Sequence, residues 1–173
     1  MSADPVKAAA VLFVAVLAQV SVLSAYAPFG GTADIVLVTL LSIALLRGSI
    51  FGAAAGFGAG LLLDIATLGT LGFTSLLLTL AGFWIGRYGE TTAHDRFHAP
   101  LTSVGVVTIL YALVALALRF VLGDATPAGA VLAGLPAAVL LNLLLTLPVY
   151  ALARRLFPPA HVSDRVGEVR LLG

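Results

Sequence analysis

The stretch from residue 47 to residue 72, RGSIFGAAAGFGAGLLLDIATLGTLG, combines an apolar run with a regular stripe of glycines. Gly48, Gly52, Gly56 and Gly60 recur at every fourth position, and Asp64 follows Gly60 by the same step. In water such a segment would be a poor helix, because each glycine costs about 1 kcal/mol relative to alanine. In lipid the backbone has no other hydrogen-bond partner, so a helix is nearly obligatory, and the small residues let a neighbouring helix approach closely. The stretch therefore predicts a membrane helix with one closely packed face.

Composition extends this conclusion to the whole chain. Hydrophobic residues make up 61% of it and charged residues only 10%, whereas soluble domains carry about 25% charged residues. We therefore expect an integral membrane protein with a single membrane domain. The chain has no cysteine, which excludes disulfides and thiolate metal sites. Its net charge of +1 argues against a nucleic-acid partner.

Six apolar segments separated by turn clusters predict an all-α fold with six transmembrane helices. The predicted spans cover about residues 6–25, 33–46, 48–65, 71–86, 101–122 and 128–152. They form one domain, residues 1–156, followed by a polar tail, residues 157–173, in which we expect mostly disorder. The small residues around Tyr26 imitate a signal peptidase site, but the first apolar segment is longer than a signal peptide core, so we favour a retained first helix.

The positive charges predict the orientation of these spans. Eight of the nine cationic residues lie on the side of the two termini: Lys7, Arg47, Arg87, Arg96, Arg154, Arg155, Arg165 and Arg170. Arg119 alone lies toward the other side. Because cytoplasmic loops carry an excess of Lys and Arg, both termini are expected in the cytoplasm.

Polar residues near the opposite side predict an outer polar cluster of Asp34, Asp64, Arg119 and Asp124. Charges at that depth are costly unless they are paired, which favours a mutually satisfied group. Asp34 has a second interpretation, because it opens the second helix and can cap its N-terminus.

Two further polar residues fall inside predicted spans, Gln19 in the first and Asn142 in the sixth. Gln19 is expected to face other helices rather than lipid, and Asn142 is expected to donate a hydrogen bond between helices.

The sequence gives little support for catalysis or metal binding. His94 and His98 lie four residues apart with Asp95 between them, but no fourth ligand accompanies them, so a solvated loop is the favoured interpretation. Asp34 and Asp64 evoke intramembrane aspartyl proteases, yet Asp64 follows three leucines rather than the glycine-containing signature of those enzymes. We therefore predict a protein that is not an enzyme and has no catalytic, cofactor-binding or metal-binding residues.

Three segments stand out by their order and spacing. They are ADIVLVTLLSIALLRG, with Asp34 at its start and the Arg47-Gly48 turn at its end, the small-residue helix ending in GLLLDI, and LGTLGFTSLLLTLAGFWIGR. Together they resemble the MreD family of bacterial rod shape-determining membrane proteins. The resemblance extends over the six spans and is most specific from Asp34 to Gly86. Ala33 stands where the family usually has a proline before the aspartate.

The resemblance implies a fold similar to the substrate-binding (S) subunits of energy-coupling-factor transporters, in the bacterial inner membrane and without a cofactor. It also implies a non-enzymatic scaffold in lateral cell-wall (peptidoglycan) synthesis. The implied partners are an MreC-like bitopic protein, membrane lipid and an elongation machinery that includes MreB, RodA and a penicillin-binding protein. The alternative is a solute-binding S subunit, whose pocket would lie at Asp34, Asp64 and Arg119.

The glycine stripe can serve either of two purposes within this picture. It can pack against a helix of the same chain, or it can form a groove that receives the transmembrane helix of the MreC-like partner. Our working hypothesis is the second, with Gly48, Gly52, Gly56 and Gly60 as the partner-helix packing face.

Overall fold

A computed structural model describes residues 4–23, 33–91, 99–123 and 127–157 of the protein, and these segments form a helical bundle. The described residues fold into six α-helices: α1 (Asp4–Ala18), α2 (Ile35–Arg47), α3 (Ser49–Thr67), α4 (Phe73–Thr91), α5 (Ala99–Val121) and α6 (Ala128–Leu156). A π-helical turn, Gln19–Leu23, continues α1. Four segments are long and apolar enough to cross a membrane: Asp4–Ser21, Ser49–Thr67, Pro100–Val121 and Ala128–Leu156.

Two helices, α4 and α6, extend at least one turn beyond the spans predicted from the sequence. Helix α4 runs to Thr91, so residues 87–91, which follow the predicted span 71–86, are also helical. Helix α6 runs without interruption to Leu156 although Pro136 and Pro148 lie inside it. Both prolines are exposed, so each ring points away from the packed interior, where a kink would disturb contacts most.

Helix α2 is the centre of the bundle. Its residues from Val36 to Leu46 are all buried, and it contacts each of the other five α-helices. The segment IVLVTLLSIALL has no polar face, and a helix that is apolar all round is stable only when other helices surround it. Its buried Ser42 hydroxyl donates to the Val38 carbonyl oxygen at 2.8 Å, so this polar group needs no partner from another helix.

The glycine stripe of α3 packs against the backbone of α4, and these two helices form the most extensive helix pair of the bundle. A Cβ atom added at Gly52 would overlap the carbonyl oxygen of Gly82, and one at Gly56 would overlap that of Leu78. At Gly60 an added Cβ would meet the backbone of α4 in the same way. Only glycine permits this approach, because any side chain would push the two backbones apart.

Helix α4 contributes a second glycine stripe that the sequence reasoning did not single out. A Cβ at Gly82 would overlap the carbonyl oxygen of Gly52, and one at Gly86 would overlap that of Gly48. Gly89 lies against the backbone of Leu45 in α2. The two stripes therefore face each other, and the spacing of four residues between Gly82 and Gly86 is the signal that could have revealed the second one.

These contacts correct the predicted role of Gly48, Gly52, Gly56 and Gly60 as a packing face for a partner helix. The face is occupied by α4 of the same chain. A partner helix would have to displace α4 to reach it, so the stripe serves internal packing, the other purpose considered for it.

The end of the bundle at Arg47 holds both ends of the described chain together. The Arg47 guanidinium forms an ion pair with Asp4 at 3.0 Å and stacks over the ring of Phe157, 5.7 Å from its centroid. Phe157 is fully buried. The start of α1, the end of α2 and the end of α6 therefore meet at one end, which we call the Arg47 end.

A tight turn at the Arg47 end joins α2 to α3. Gly48 adopts a positive φ of 92°, a conformation that favours glycine. The Glu90 carboxylate accepts hydrogen bonds from the backbone N–H of Ser49 at 2.7 Å and from its hydroxyl at 2.8 Å. These bonds favour the ionised form and lower the pKa of Glu90, which lies beyond the predicted span. Glu90 thereby caps α3 from the end of α4.

Candidate functional site

A cavity of about 330 Å³ lies between α2, α5 and α6, at the end of the bundle opposite Arg47. We call it the outer cavity. Its polar lining consists of Asp34, Thr108, Tyr111, Arg119 and Asn142. Most of the remaining lining is apolar, and much of it is small: Ala112, Ala115, Gly134 and Ala138. The volume falls at the lower end of the range of about 300–1,000 Å³ found for small-molecule sites.

Asp34 is placed at this cavity by its role at the start of α2. One of its carboxylate oxygens accepts the backbone N–H of Leu37 at 2.8 Å. Its own backbone N–H donates to Asn142 Oδ1 of α6, also at 2.8 Å. The capping role expected from the sequence is confirmed, and it satisfies one of the free N–H groups that every helix start presents.

Asn142 connects three helices through hydrogen bonds. Besides accepting from Asp34, its side-chain amide donates to the Thr108 hydroxyl of α5 at 3.1 Å. The Thr146 hydroxyl donates to the Asn142 carbonyl oxygen at 2.6 Å one turn later in α6. The interhelical hydrogen bond predicted for Asn142 is therefore confirmed, and it ties α5 to α6 and α2 beside the outer cavity.

Gln19 joins the same network from the π-helical turn after α1. Its side-chain oxygen accepts the backbone N–H of Val36 at 3.0 Å, which satisfies another free N–H group of α2. Gln19 and Asn142, the two isolated polar residues of the predicted spans, thus meet at the start of α2.

Asp64 has a different role from the one predicted. Its carboxylate accepts backbone N–H groups from Gly72 at 2.8 Å, Thr74 at 3.1 Å and Ser75 at 3.4 Å, and its residue is only 2% exposed. It therefore closes the connection between α3 and α4 and caps the start of α4. Gly72 adopts a φ of 89° at this turn, which aids the approach of its N–H to the carboxylate.

The predicted outer cluster is accordingly only partly assembled. Asp34 and Arg119 line the outer cavity together, whereas Asp64 is not among its lining residues. The Arg119 guanidinium stacks over the ring of Phe73, 5.5 Å from its centroid, at the start of α4. Asp124 lies outside the described residues. The cluster needs this correction because the three N–H groups around Asp64 satisfy it without a cation.

The polar side chains described at the outer end of the bundle act through hydrogen bonds. In the segments that the structure describes, no group of three His, Asp or Glu side chains can hold a metal ion. His94, Asp95 and His98 lie outside those segments. Asp34 and Asp64, the candidates for an aspartyl protease pair, each accept helix N–H groups in their caps.

Sequence reasoning missed several residues of the outer cavity. Tyr111 and Thr108 project from α5, one turn apart, but both fall in a nearly uniform apolar run. The sequence does contain one feature that could have predicted the cavity. Small residues recur three or four positions apart in two helices, at Ala112 and Ala115 in α5 and at Gly134 and Ala138 in α6. Small residues at such spacing lie on one helix face and leave space when the facing residues are also small.

The fold and the network define a small helical membrane protein whose buried polar residues cap helices and connect them. A family model described as rod shape-determining protein MreD matches residues 7–156 of the 173-residue chain. The chain therefore belongs to the MreD family, as the resemblance of its motifs predicted. No curated protein and no solved structure matches it. The likeness to transporter S subunits stays a prediction.

Proposed function

We propose that the protein is a non-enzymatic scaffold of the cell-wall elongation machinery that controls cell shape by binding the transmembrane helix of an MreC-like bitopic protein. Membership of the MreD family gives it a role in rod shape determination. The observation that supports a scaffold is the use of Asp34 and Asp64, the two carboxylates described at the outer end, as helix caps. Ionisable residues inside a membrane cost free energy and usually belong to a functional site. Here we infer that the two carboxylates stabilise the arrangement of the helices.

The partner helix needs a face other than the glycine stripe, because α4 covers that stripe. We place it in the apolar groove of about 190 Å³ that α1 and α6 form over α2. Ala15 and Ala18 of α1 and Ala153 of α6 line this groove, and such small residues let a helix approach closely. A second apolar groove, between α4 and α5, is lined by several leucines and Trp84 and offers no comparable run of small residues.

The orientation follows from the charges at the Arg47 end. Arg47, Arg87, Arg154 and Arg155 all belong to helix ends on this side, and the positive-inside rule places such a side in the cytoplasm. The protein would then lie in the bacterial inner membrane with both termini in the cytoplasm, on the side of MreB. It would contact RodA, a penicillin-binding protein and the MreC-like protein inside the membrane or on its far side.

The test is co-purification with the MreC-like protein after substitutions in α1. Ala18→Leu fills the groove, whereas Ala10→Leu adds the same side chain at an exposed position outside the groove lining. We expect Ala18→Leu to lose most of the partner while the protein stays inserted, and Ala10→Leu to retain it. Full recovery of the partner with Ala18→Leu would place its helix elsewhere. Recovery of two ATPase subunits with the unaltered chain would contradict the scaffold and favour a transporter subunit.

A further inference from the structure

Two opposite charges line the outer cavity without pairing with each other. Asp34 lies at the start of α2 and Arg119 near the end of α5, and both border the same space. Among the described residues, the ion pairs are those of Arg47 with Asp4 and of Arg87 with Glu90, so neither Asp34 nor Arg119 takes part in one. A charge with no counter-ion among the described residues is costly at the edge of a bilayer, and a ligand that pairs with both side chains would lower that cost.

The cavity also presents unused hydrogen-bond donors. The Arg119 side chain contacts the Phe73 ring, and its N–H groups make no hydrogen bond to a described residue. The Tyr111 hydroxyl, on the same helix two turns earlier, likewise has no hydrogen-bond partner within the described segments. Both donors face a space of about 330 Å³, which has the volume of roughly ten liquid water molecules. The space is therefore too large for a single ion and suits a polar molecule.

The remaining wall of the cavity is apolar. Leu37, Leu116 and Leu135 border it together with the small residues of α5 and α6. A ligand for this cavity consequently needs an anionic group for Arg119, a cationic group for Asp34 and an apolar part beside them. A simple anion would be repelled by Asp34, and a simple cation by Arg119.

We propose that the outer cavity binds the headgroup of a phospholipid with a primary amine, of the phosphatidylethanolamine class. Its phosphate pairs with the Arg119 guanidinium and accepts from the Tyr111 hydroxyl, and its ammonium group donates to the Asp34 carboxylate. A choline headgroup fits less well, because its quaternary nitrogen has no N–H to donate and favours a cage of several aromatic rings, whereas Tyr111 is the one aromatic residue among the lining residues that the structure describes. The glycerol and the start of the acyl chains lie against the apolar wall.

The experiment measures lipid binding to the full chain in detergent by native mass spectrometry. Phosphatidylethanolamine, phosphatidylcholine and phosphatidylglycerol with the same acyl chains are titrated separately. Phosphatidylglycerol has no ammonium group to donate to Asp34, so we expect phosphatidylethanolamine to bind more tightly by roughly tenfold or more, and tenfold corresponds to about 1.4 kcal/mol. Equal binding of the two lipids would overturn the proposal.

Two substitutions test the contribution of each charge separately. Asp34→Asn keeps a good helix cap but removes the negative charge, so it should abolish the preference for phosphatidylethanolamine over phosphatidylglycerol without unfolding the protein. Arg119→Gln should weaken both lipids by roughly tenfold or more. Arg154→Gln is the matched control, because Arg154 also stacks over an aromatic ring, Tyr150 at 6.0 Å, but lies at the Arg47 end. An unchanged preference in Asp34→Asn would overturn the proposal.

A soluble zwitterion is the other possible source of the same chemistry. Phosphoethanolamine carries the two charges of the headgroup without the glycerol and acyl chains. If the lipid is the ligand, phosphoethanolamine at matched concentration should compete weakly or not at all. Competition as strong as that of the intact lipid would overturn the lipid proposal and make the cavity a solute site.

Discussion

Gly52 of α3 and Gly82 of α4 face each other backbone to backbone, so that a Cβ atom on either residue would overlap the carbonyl oxygen of the other. The contact continues at Gly48 with Gly86 and at Gly56 with the backbone of Leu78. Two helices that approach so closely gain dispersion contacts along their whole length. Helices α3 and α4 therefore form the most extensively packed helix pair of the bundle.

The first prediction concerns side chains added to this contact. Gly56→Ala should lower the free energy of unfolding in detergent by roughly 1–3 kcal/mol and Gly56→Leu by more, because the added atoms overlap backbone that cannot move aside. Thermal unfolding followed by circular dichroism measures the loss. Gly58 lies in the same helix with nothing within 4 Å of an added Cβ, so Gly58→Ala is the control and should lose no stability. Equal effects at Gly56 and Gly58 would contradict the packing described here.

The second prediction concerns the cap that Asp64 provides for α4. Asp64→Ala leaves the N–H groups of Gly72, Thr74 and Ser75 without their acceptor. Ser75 is buried, and a buried group left unpaired costs about 1–3 kcal/mol, whereas Gly72 and Thr74 are more exposed and lose less. Asp64→Asn keeps one acceptor oxygen and should lose about half as much stability. Hydrogen exchange at Gly72 and Thr74 should accelerate in Asp64→Ala before the rest of the bundle opens. Unchanged exchange at both amides would show that the cap contributes nothing.

The third prediction concerns the hydrogen bond between Asn142 and Thr108. Asn142→Ala and Thr108→Val each remove one partner, and the double variant completes a thermodynamic cycle. We expect a coupling free energy of about 0.5–1.5 kcal/mol, the range of hydrogen bonds between membrane helices. The double variant should therefore lose less stability than the sum of the losses in the two single variants. Strictly additive losses would indicate that the two side chains act independently.

The fourth prediction concerns Phe157, where α6 ends under the Arg47 guanidinium. Phe157 is fully buried, and Phe157→Ala should cost about 3–5 kcal/mol through the cavity that it leaves. Phe120 is 83% exposed, so Phe120→Ala is the control and should change the unfolding temperature little in detergent. A comparable loss in both variants would mean that removal of any phenyl ring from the chain lowers its stability.

Much of this architecture could be predicted from the sequence because the relevant signals are local. The apolar runs indicate the helices, and the position of Asp34 directly before such a run indicates its cap. Asn142 could be predicted to form an interhelical bond, since a membrane interior offers an amide few other partners. These inferences use only neighbouring residues and the properties of lipid.

The partners of the glycines and of Asp64 could not be predicted, because they depend on which helices are neighbours. A glycine stripe has the same spacing whether it contacts α4 or another protein, and only the facing stripe at Gly82 and Gly86 decides between them. For Asp64, the partner N–H groups begin eight residues later, at Gly72. Their approach depends on the turn between α3 and α4, which residue spacing alone does not define.

The central helix is the shortest of the six α-helices that the structure describes. The 13 residues of α2 span roughly 20 Å, whereas the hydrocarbon core of a bilayer is about 30 Å thick. The 29 residues of α6 span about 43 Å and must tilt or project to fit. Hydrophobic mismatch therefore acts on the surrounding helices and not on α2, which other helices shield from lipid. A change in bilayer thickness would change the tilt of α5 and α6 and with it the width of the outer cavity, while α2, α3 and α4 keep their packing.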